Sequence, residues 1–178
     1  MRCFIAINLP DRIKNKIAEI TKELPDRGIK KVKPNNLHLT LKFLGEVSEN
    51  NANKIKKILD KIDCQKFDVS LKNFGFFPNN NFIKIVWIGI EKGREEIIKL
   101  QKRIDLELKE LNFKPETNFE PHLTIARVKF LEDKKEFFEK TKKFKFEENF
   151  SVSNFCLMQS FLKKTGPIYK KIHEVKLS

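Results

Sequence analysis

Residues 37–47 read Leu-His-Leu-Thr-Leu-Lys-Phe-Leu-Gly-Glu-Val, and residues 122–128 read His-Leu-Thr-Ile-Ala-Arg-Val. The first stretch alternates from Leu37 to Phe43. Leu37, Leu39, Leu41 and Phe43 fall on one face of a strand, and His38, Thr40 and Lys42 on the other. The four apolar side chains are therefore expected inside. Gly45 ends the run. The second stretch opens on the same tripeptide, His-Leu-Thr, with Leu123 placed like Leu39.

Working outward, the surroundings of the two stretches correspond as well. Before the first lies an apolar run, Arg2–Leu9, stopped by Pro10. A helical pattern over Asp11–Leu24 follows, with Ile13, Ile17 and Ile20 at helical spacing and Asp11 as a candidate cap. Pro34-Asn35-Asn36 signals a turn. After Gly45, Ser48 can cap a helix carrying Ile55, Ile58, Leu59 and Ile62, and Phe67–Phe76 reads as a strand. The second half restarts with an apolar strand over Phe82–Ile90. A helix from Arg94 bears Ile97, Leu100, Ile104, Leu108 and Leu111, and a polar connector with two prolines covers Asn112–Pro121. The strand His122–Val128, a charged helix near Asp133–Lys142 and a strand region over Phe150–Leu162 come next. A turn at Lys163–Pro167 and a last strand over Ile168–Leu177 close the chain.

The spacing between matched segments is nearly constant. His38 and His122 lie 84 residues apart, and Phe67 and Phe150 lie 83 apart. A fixed offset over several elements marks an internal duplication. The pattern predicts one bilobal α+β domain spanning residues 1–178, built from pseudo-repeats at about 1–77 and 82–162 and completed by the strand at 168–177. Two copies related by a pseudo-two-fold axis would bring equivalent strands together, so that both His-bearing strands face one groove.

Composition restricts the partners. The chain has 178 residues, 40% of them hydrophobic, with 17 Phe, which is ample for a packed core. Lys+Arg is 37 against Asp+Glu 24, a formal net charge of +13. An excess of that size favours a polyanionic partner, because basic side chains displace counterions from a phosphate backbone. Cys3, Cys64 and Cys156 are odd in number and far apart, so reduced thiols in an intracellular protein are expected rather than a disulfide framework or zinc site. The N-terminal segment reads as neither a signal peptide nor a membrane span.

The chemistry rests on the repeated tripeptide. A His and a Thr two residues apart share one face of a strand, so each stretch sets an imidazole beside a hydroxyl. Two imidazoles supply a general base and a general acid near neutral pH. Hydroxyls can donate to the non-bridging oxygens of a phosphate. No GxxxxGK[ST] loop, HExxH motif or GxSxG elbow offers another chemistry, and no carboxylate-rich cluster accompanies the histidines to hold a metal. Arg127, by strict alternation, faces away from His122, and it joins the site only if its strand bulges. Lys42 shares the face of His38 and could add a second positive charge. His173 lies outside both units and reads as a packing or surface residue.

His38-Leu39-Thr40-Leu41 and His122-Leu123-Thr124-Ile125 resemble the paired HxTx motifs of the 2H phosphoesterase superfamily. RCFIAINLP, HLTLKFLGEV, FEPHLTIARV and GPIYKKIHEVKL are similar, almost end to end, to one branch, the RNA 2′,3′-cyclic phosphodiesterases, long called 2′-5′ RNA ligases. The resemblance implies a bilobal α+β fold in which two antiparallel sheets with outer helices flank a central groove holding both motifs. It implies hydrolysis of 2′,3′-cyclic phosphate ends to 2′-phosphate ends, and in some members the reverse joining through a 2′-5′ linkage. It makes His38 the proton donor and His122 the acceptor from water, with Thr40, Thr124 and Arg127 on the phosphate. RNA with cyclic phosphate ends, tRNA fragments among them, is the expected partner of a cytoplasmic monomer needing no metal or cofactor. Small cyclic-phosphate nucleotides as substrates, and RNA binding without catalysis, remain the alternatives.

Overall fold

The computed structural model describes the whole sequence, Met1–Ser178. Nine strands and four helices follow one another as β1 (Arg2–Asn8), α1 (Asp11–Lys22), β2 (Ile29–Lys31), β3 (His38–Glu46), α2 (Glu49–Leu59), β4 (Phe67–Pro78), β5 (Ile83–Ile90), α3 (Arg94–Leu108), β6 (Leu123–Val128), α4 (Lys134–Lys142), β7 (Glu147–Val152), β8 (Asn154–Lys163) and β9 (Gly166–Lys176). One sheet has the order β3-β1-β8-β9 and the other β2-β6-β5-β4-β7. Every pairing is antiparallel. The α+β class and the two antiparallel sheets agree with expectation.

Local sequence explains most elements. The apolar run Cys3–Ile7 is buried throughout, as suits a strand hydrogen-bonded on both edges and covered on both faces. The helices bury the stripes their spacing foretold: Ile13 and Ile17 on α1, Ile55, Ile58 and Leu59 on α2, and Ile97, Leu100, Ile104 and Leu108 on α3. These stripes join one main core. Ser48 caps α2 by accepting from the Asn51 N–H at 3.2 Å, and Asp133 caps α4 by accepting from the Glu136 N–H at 2.8 Å. Asp11 does not cap α1. It is the first helical residue, and the preceding position, Pro10, makes no side-chain cap bond.

The sheets do not follow the halves of the chain. β1 and β3 from the first half take their neighbour β8 from the second, whereas β5 and β6 from the second half take β4 from the first. The region Phe150–Leu162, expected as one strand, breaks at Ser153 for this reason. β7 lies on β4 in one sheet, and β8 lies between β1 and β9 in the other. The short strand β2, not expected from the sequence, edges β6.

The largest departure lies on β3. Ile5 pairs with Lys42 but Ala6 pairs with Thr40, so Leu41 is an extra residue, a β-bulge. Alternation inverts there. Leu41 and Lys42 are both buried, and Phe43 emerges 64% exposed. The expected burial of Leu37, Leu39 and Leu41 holds; that of Phe43 and the outward course of Lys42 do not. Lys42 instead enters the core, where its ammonium meets Asp105 Oδ1 at 2.5 Å and donates to the Lys114 carbonyl at 2.7 Å. Asp105 Oδ2 accepts from Gln101 Nε2 at 2.7 Å and from the Glu116 N–H at 2.8 Å. This satisfied pair fastens β3 to α3 and to the connector that leads to His122.

Removing one partner strands a buried charge, so Lys42→Ala should cost about 3–5 kcal/mol. Lys42→Met with Asp105→Leu should cost clearly less than that single change, because no charge is left uncompensated. Urea unfolding of the two variants measures the contrast, and equal losses would mean the pair is not electrostatically coupled.

Candidate active site

His38 opens β3, and His122 stands immediately before β6. Each imidazole is held in the same way. His38 Nδ1 lies 2.7 Å from the Asn36 carbonyl, and His122 Nδ1 lies 2.8 Å from the Glu120 carbonyl. A carbonyl can only accept, so Nδ1 carries the hydrogen in both rings. Nε2 is left on each as the nitrogen free to exchange a proton. The bond from the ring to the chain two residues back is built into the local geometry of each motif.

β6 repeats the slip seen on β3. Val86 pairs with Ala126 but Trp87 pairs with Thr124, which leaves Ile125 extra. Ile125 and Ala126 are both buried, and Arg127 comes out on the side of Thr124. The bulge on which Arg127's role depended is present. Arg127 and Phe43 occupy corresponding places, each the fifth residue after its motif histidine.

A cleft of about 410 Å³ gathers these side chains. His38, Thr40, His122, Thr124 and Arg127, all five residues singled out in the sequence, line it together. Lys42 does not reach it, and His173 lies elsewhere, with Nε2 2.7 Å from Asp60. Three further contributors went unrecognised in the sequence: Phe43, the lysines beginning at Lys30, and Tyr169. The bulge hid Phe43, and the unread strand β2 hid the lysines. Tyr169 carried no positional signal beyond its place in the closing segment. A larger hollow of about 590 Å³, between β4, β7 and α4, holds no histidine and is lined by phenylalanines and lysines.

The surroundings of the two histidines differ. His38 lies against Phe4 at 4.8 Å and meets the Tyr169 ring edge-on at 5.3 Å. This burial pushes its pKa down to about 4, and the positive charge of Arg127 pushes the same way, while the bond to Asn36 opposes both. Burial likewise lifts the Tyr169 hydroxyl above its ordinary range, so it stays protonated and able to donate. His122 rests edge-on against Phe77 at 5.0 Å, and Phe77 in turn packs on Trp87 at 5.1 Å. Trp87 lies flat across position 75, where a Cβ would come within 2.0 Å of its ring, so only Gly75 permits this support.

The lining of the cleft is one-sided in charge. Lys30, Lys31, Lys33 and Arg127 contribute to it, and no Asp or Glu does. Such a site attracts an anion and offers it two imidazoles, the hydroxyls of Thr40, Thr124, Thr165 and Tyr169, and a guanidinium. It presents no carboxylate or thiolate to a divalent cation.

Two curled antiparallel sheets facing each other across paired His-x-Thr strands define a phosphoesterase of the two-histidine kind. The chain belongs to the LigT like Phosphoesterase family, whose model matches it twice in tandem, at residues 7–87 and 88–169. Among its relatives, the RNA 2′,3′-cyclic phosphodiesterase of Methanocaldococcus jannaschii is 41% identical, covering 98% of this chain and 99% of the relative. The RNA 2′,3′-cyclic phosphodiesterase of Archaeoglobus fulgidus is 38% identical, covering 97% and 98%. The crystal structure of TT0787 of Thermus thermophilus superposes with a TM-score of 0.81 at 27% identity, over 99% of this chain and 97% of the other. No helix is long and apolar enough to cross a membrane.

The half-buried His38 makes stability depend on pH. Its folded pKa, about 4, lies below the ordinary 6.5, so between those values the unfolded chain binds more protons and stability rises with pH. The contribution is complete above pH 6.5 and is lost as pH falls toward 4. Thermal unfolding followed from neutral pH down to about 4.5, within that window, should therefore show a smaller acid-induced drop for His38→Gln than for the unaltered protein. Parallel curves would show that His38 is not held neutral.

Proposed function

We propose that this protein hydrolyses the 2′,3′-cyclic phosphate at the end of an RNA chain, leaving a 2′-phosphate and a 3′-hydroxyl. One observation carries the reading: two imidazoles, tied identically through Nδ1, share a cationic cleft with two threonines and an arginine that a bulge turns inward. Full-length similarity to proteins named RNA 2′,3′-cyclic phosphodiesterase supports the same substrate.

The reaction uses the groups as follows. The cyclic phosphate sits between the two histidines with its non-bridging oxygens on the Thr40 and Thr124 hydroxyls and the Arg127 guanidinium. His122 Nε2 takes a proton from water as the water oxygen attacks phosphorus. The P–O3′ bond breaks, and His38 Nε2 delivers a proton to the departing O3′. The negative charge that grows on the non-bridging oxygens is met by fixed donors. Run in the same direction with an RNA 5′-hydroxyl attacking phosphorus in place of water, the same steps form a 2′-5′ linkage and free the 3′-hydroxyl. Phe43, exposed on the cleft side of β3, offers an aromatic face to the terminal base.

A proton donor must be charged when its turn comes, and His38 is neutral at pH 7 in the empty cleft. The substrate resolves this. Its negative charge beside the imidazole works against the lowering by burial and, secondly, by Arg127, and so raises the ring's proton affinity. Binding therefore arms the acid, and the empty cleft holds no standing imidazolium there.

Hydrolysis of a cyclic-phosphate oligonucleotide should proceed in EDTA, and an activity that needs an added divalent cation would replace this mechanism. His38→Ala and His122→Ala should each lower turnover by roughly 10²–10⁴. An activated leaving group, which needs little protonation, should rescue the His38 variant far more than the His122 variant; the opposite pattern would exchange the roles.

The arming step has its own signature in pH profiles. The alkaline limb of kcat, which reports the complex, should lie at higher pH than that of kcat/KM, which reports free groups. Coincident limbs would mean that bound phosphate does not recharge His38.

A further inference from the structure

The cations of the cleft are not spread around it. Lys30, on β2, is the register partner of Arg127 on β6. Residues directly opposite on paired strands share a face, so Lys30 extends the Arg127 side of the site by one strand. Lys33 follows where the chain leaves β2 for the turn Pro34–Asn36. This wall is fixed in place. Asn36 Nδ2 donates to the Pro167 carbonyl at 2.8 Å, and the Lys30 ammonium lies 3.5 Å from where a Cβ on Gly166 would stand. The hairpin between β8 and β9 thus packs against β2, and its tip carries Lys163 and Lys164.

Charge pairing separates these lysines from many others. Lys31 is neutralised by Asp26 at 2.6 Å. Lys14, Lys22, Lys140 and Lys142 each pair with a carboxylate of their own helix. Lys30 and Lys33 are exposed and meet no carboxylate within 4.0 Å, although the chain has 24 acidic residues to offer. Two unpaired ammonium groups beside a phosphate-binding arginine are oriented for more phosphate.

We propose that Lys30 and Lys33 bind the internucleotide phosphates next to the reacting end, so that the RNA strand leaves the cleft over β2. The inference rests on the cyclic-phosphate reading of the site and names its substrate class as an oligonucleotide rather than a mononucleotide. The chemistry agrees with the geometry. A terminal 2′,3′-cyclic nucleotide keeps its chain attached only through O5′, so the next phosphate must follow from that side of the ribose. A mononucleoside cyclic phosphate reaches the histidines, threonines and Arg127 but has nothing to place on the lysines.

The test compares a mononucleoside 2′,3′-cyclic phosphate with a four-nucleotide RNA ending in the same group. The unaltered protein and the Lys30→Ala/Lys33→Ala variant each receive both substrates over a range of salt. Both positions are exposed, and circular dichroism verifies folding. The ratio of the two kcat/KM values, oligonucleotide over mononucleotide, should fall about tenfold in the variant. The salt-dependence slope for the oligonucleotide should shrink by about 1.4, the value for two fewer ammonium groups on a single strand's phosphates. A ratio and a slope that stay at their unaltered values overturn the phosphate wall alone. If the unaltered protein cleaves the mononucleotide but shows no preference for the oligonucleotide, the wall is again excluded while the cyclic-phosphate chemistry stands. If it cleaves neither, both readings fall together.

Discussion

At one place on each motif strand two consecutive residues turn inward, Leu41 with Lys42 and Ile125 with Ala126. The rest of the site depends on that slip of the pleat. An unbroken strand would aim Phe43 and Arg127 into the interior, because both lie an odd number of residues from their histidines. A bulge inserts one residue against the partner strand and reverses the alternation beyond it. Each motif strand therefore presents three side chains to the groove, at the histidine, two residues on and five residues on. Without the bulge on β6 the phosphate site would hold imidazoles and hydroxyls but lack its guanidinium.

The inward half of the same slip is used as well. Lys42, turned into the core, must have its charge met there, and Asp105 and the Lys114 carbonyl meet it, while the Glu116 N–H of the same connector donates to Asp105. That connector has no regular structure of its own between Asn112 and Pro121, yet it delivers His122 to the cleft. It is fastened at 114–116 by the buried pair and at Glu120 by Arg94, whose Nη2 lies 2.7 Å from the carboxylate. The carbonyl of Glu120 then fixes the His122 ring. The surface pair with Arg94 adds little by itself. The buried one resists loss, because either partner alone would be an unpaired charge in the core. Strain or disorder in the connector at Glu120 would reach the His122 ring within two residues.

Most of the fold was legible because it is written in short-range patterns. The apolar spacing of α1, α2 and α3, the turn residues and the repeated His-Leu-Thr each depend on neighbours a few positions away. His38, Thr40, His122 and Thr124 could be named for the same reason, since each His-Leu-Thr unit fixes its own strand, whereas Arg127 was named through the family resemblance and against strict alternation. What escaped depends on distant partners. Nothing between Leu37 and Leu44 signals that Leu41 will lack a partner on β1. Phe43 accordingly read as core and Lys42 as a cleft cation, the reverse of what they are. β2 is three residues long and is a strand only because β6 lies beside it. Ser153 divides β7 from β8 because two different sheets claim the residues on either side.

The crossing of β4 and β8 into opposite sheets has a consequence for the newborn chain. β1 emerges from the ribosome first, and its buried run Cys3–Ile7 needs neighbours on both edges. One neighbour, β3, follows soon, but the other, β8, begins at Asn154. At roughly 5–20 residues per second, translation takes on the order of ten seconds or more to make it. Through that interval a strand buried over five consecutive residues has an open edge. The N-terminal half cannot complete a sheet alone, because its own third strand, β4, belongs to the sheet that β5, β6 and β7 build. Each sheet is completed only by strands made after residue 146, β7 in one and β8 with β9 in the other. A long wait with an exposed apolar edge invites pairing with other nascent chains, which gives a chaperone stationed at the tunnel exit its most useful moment.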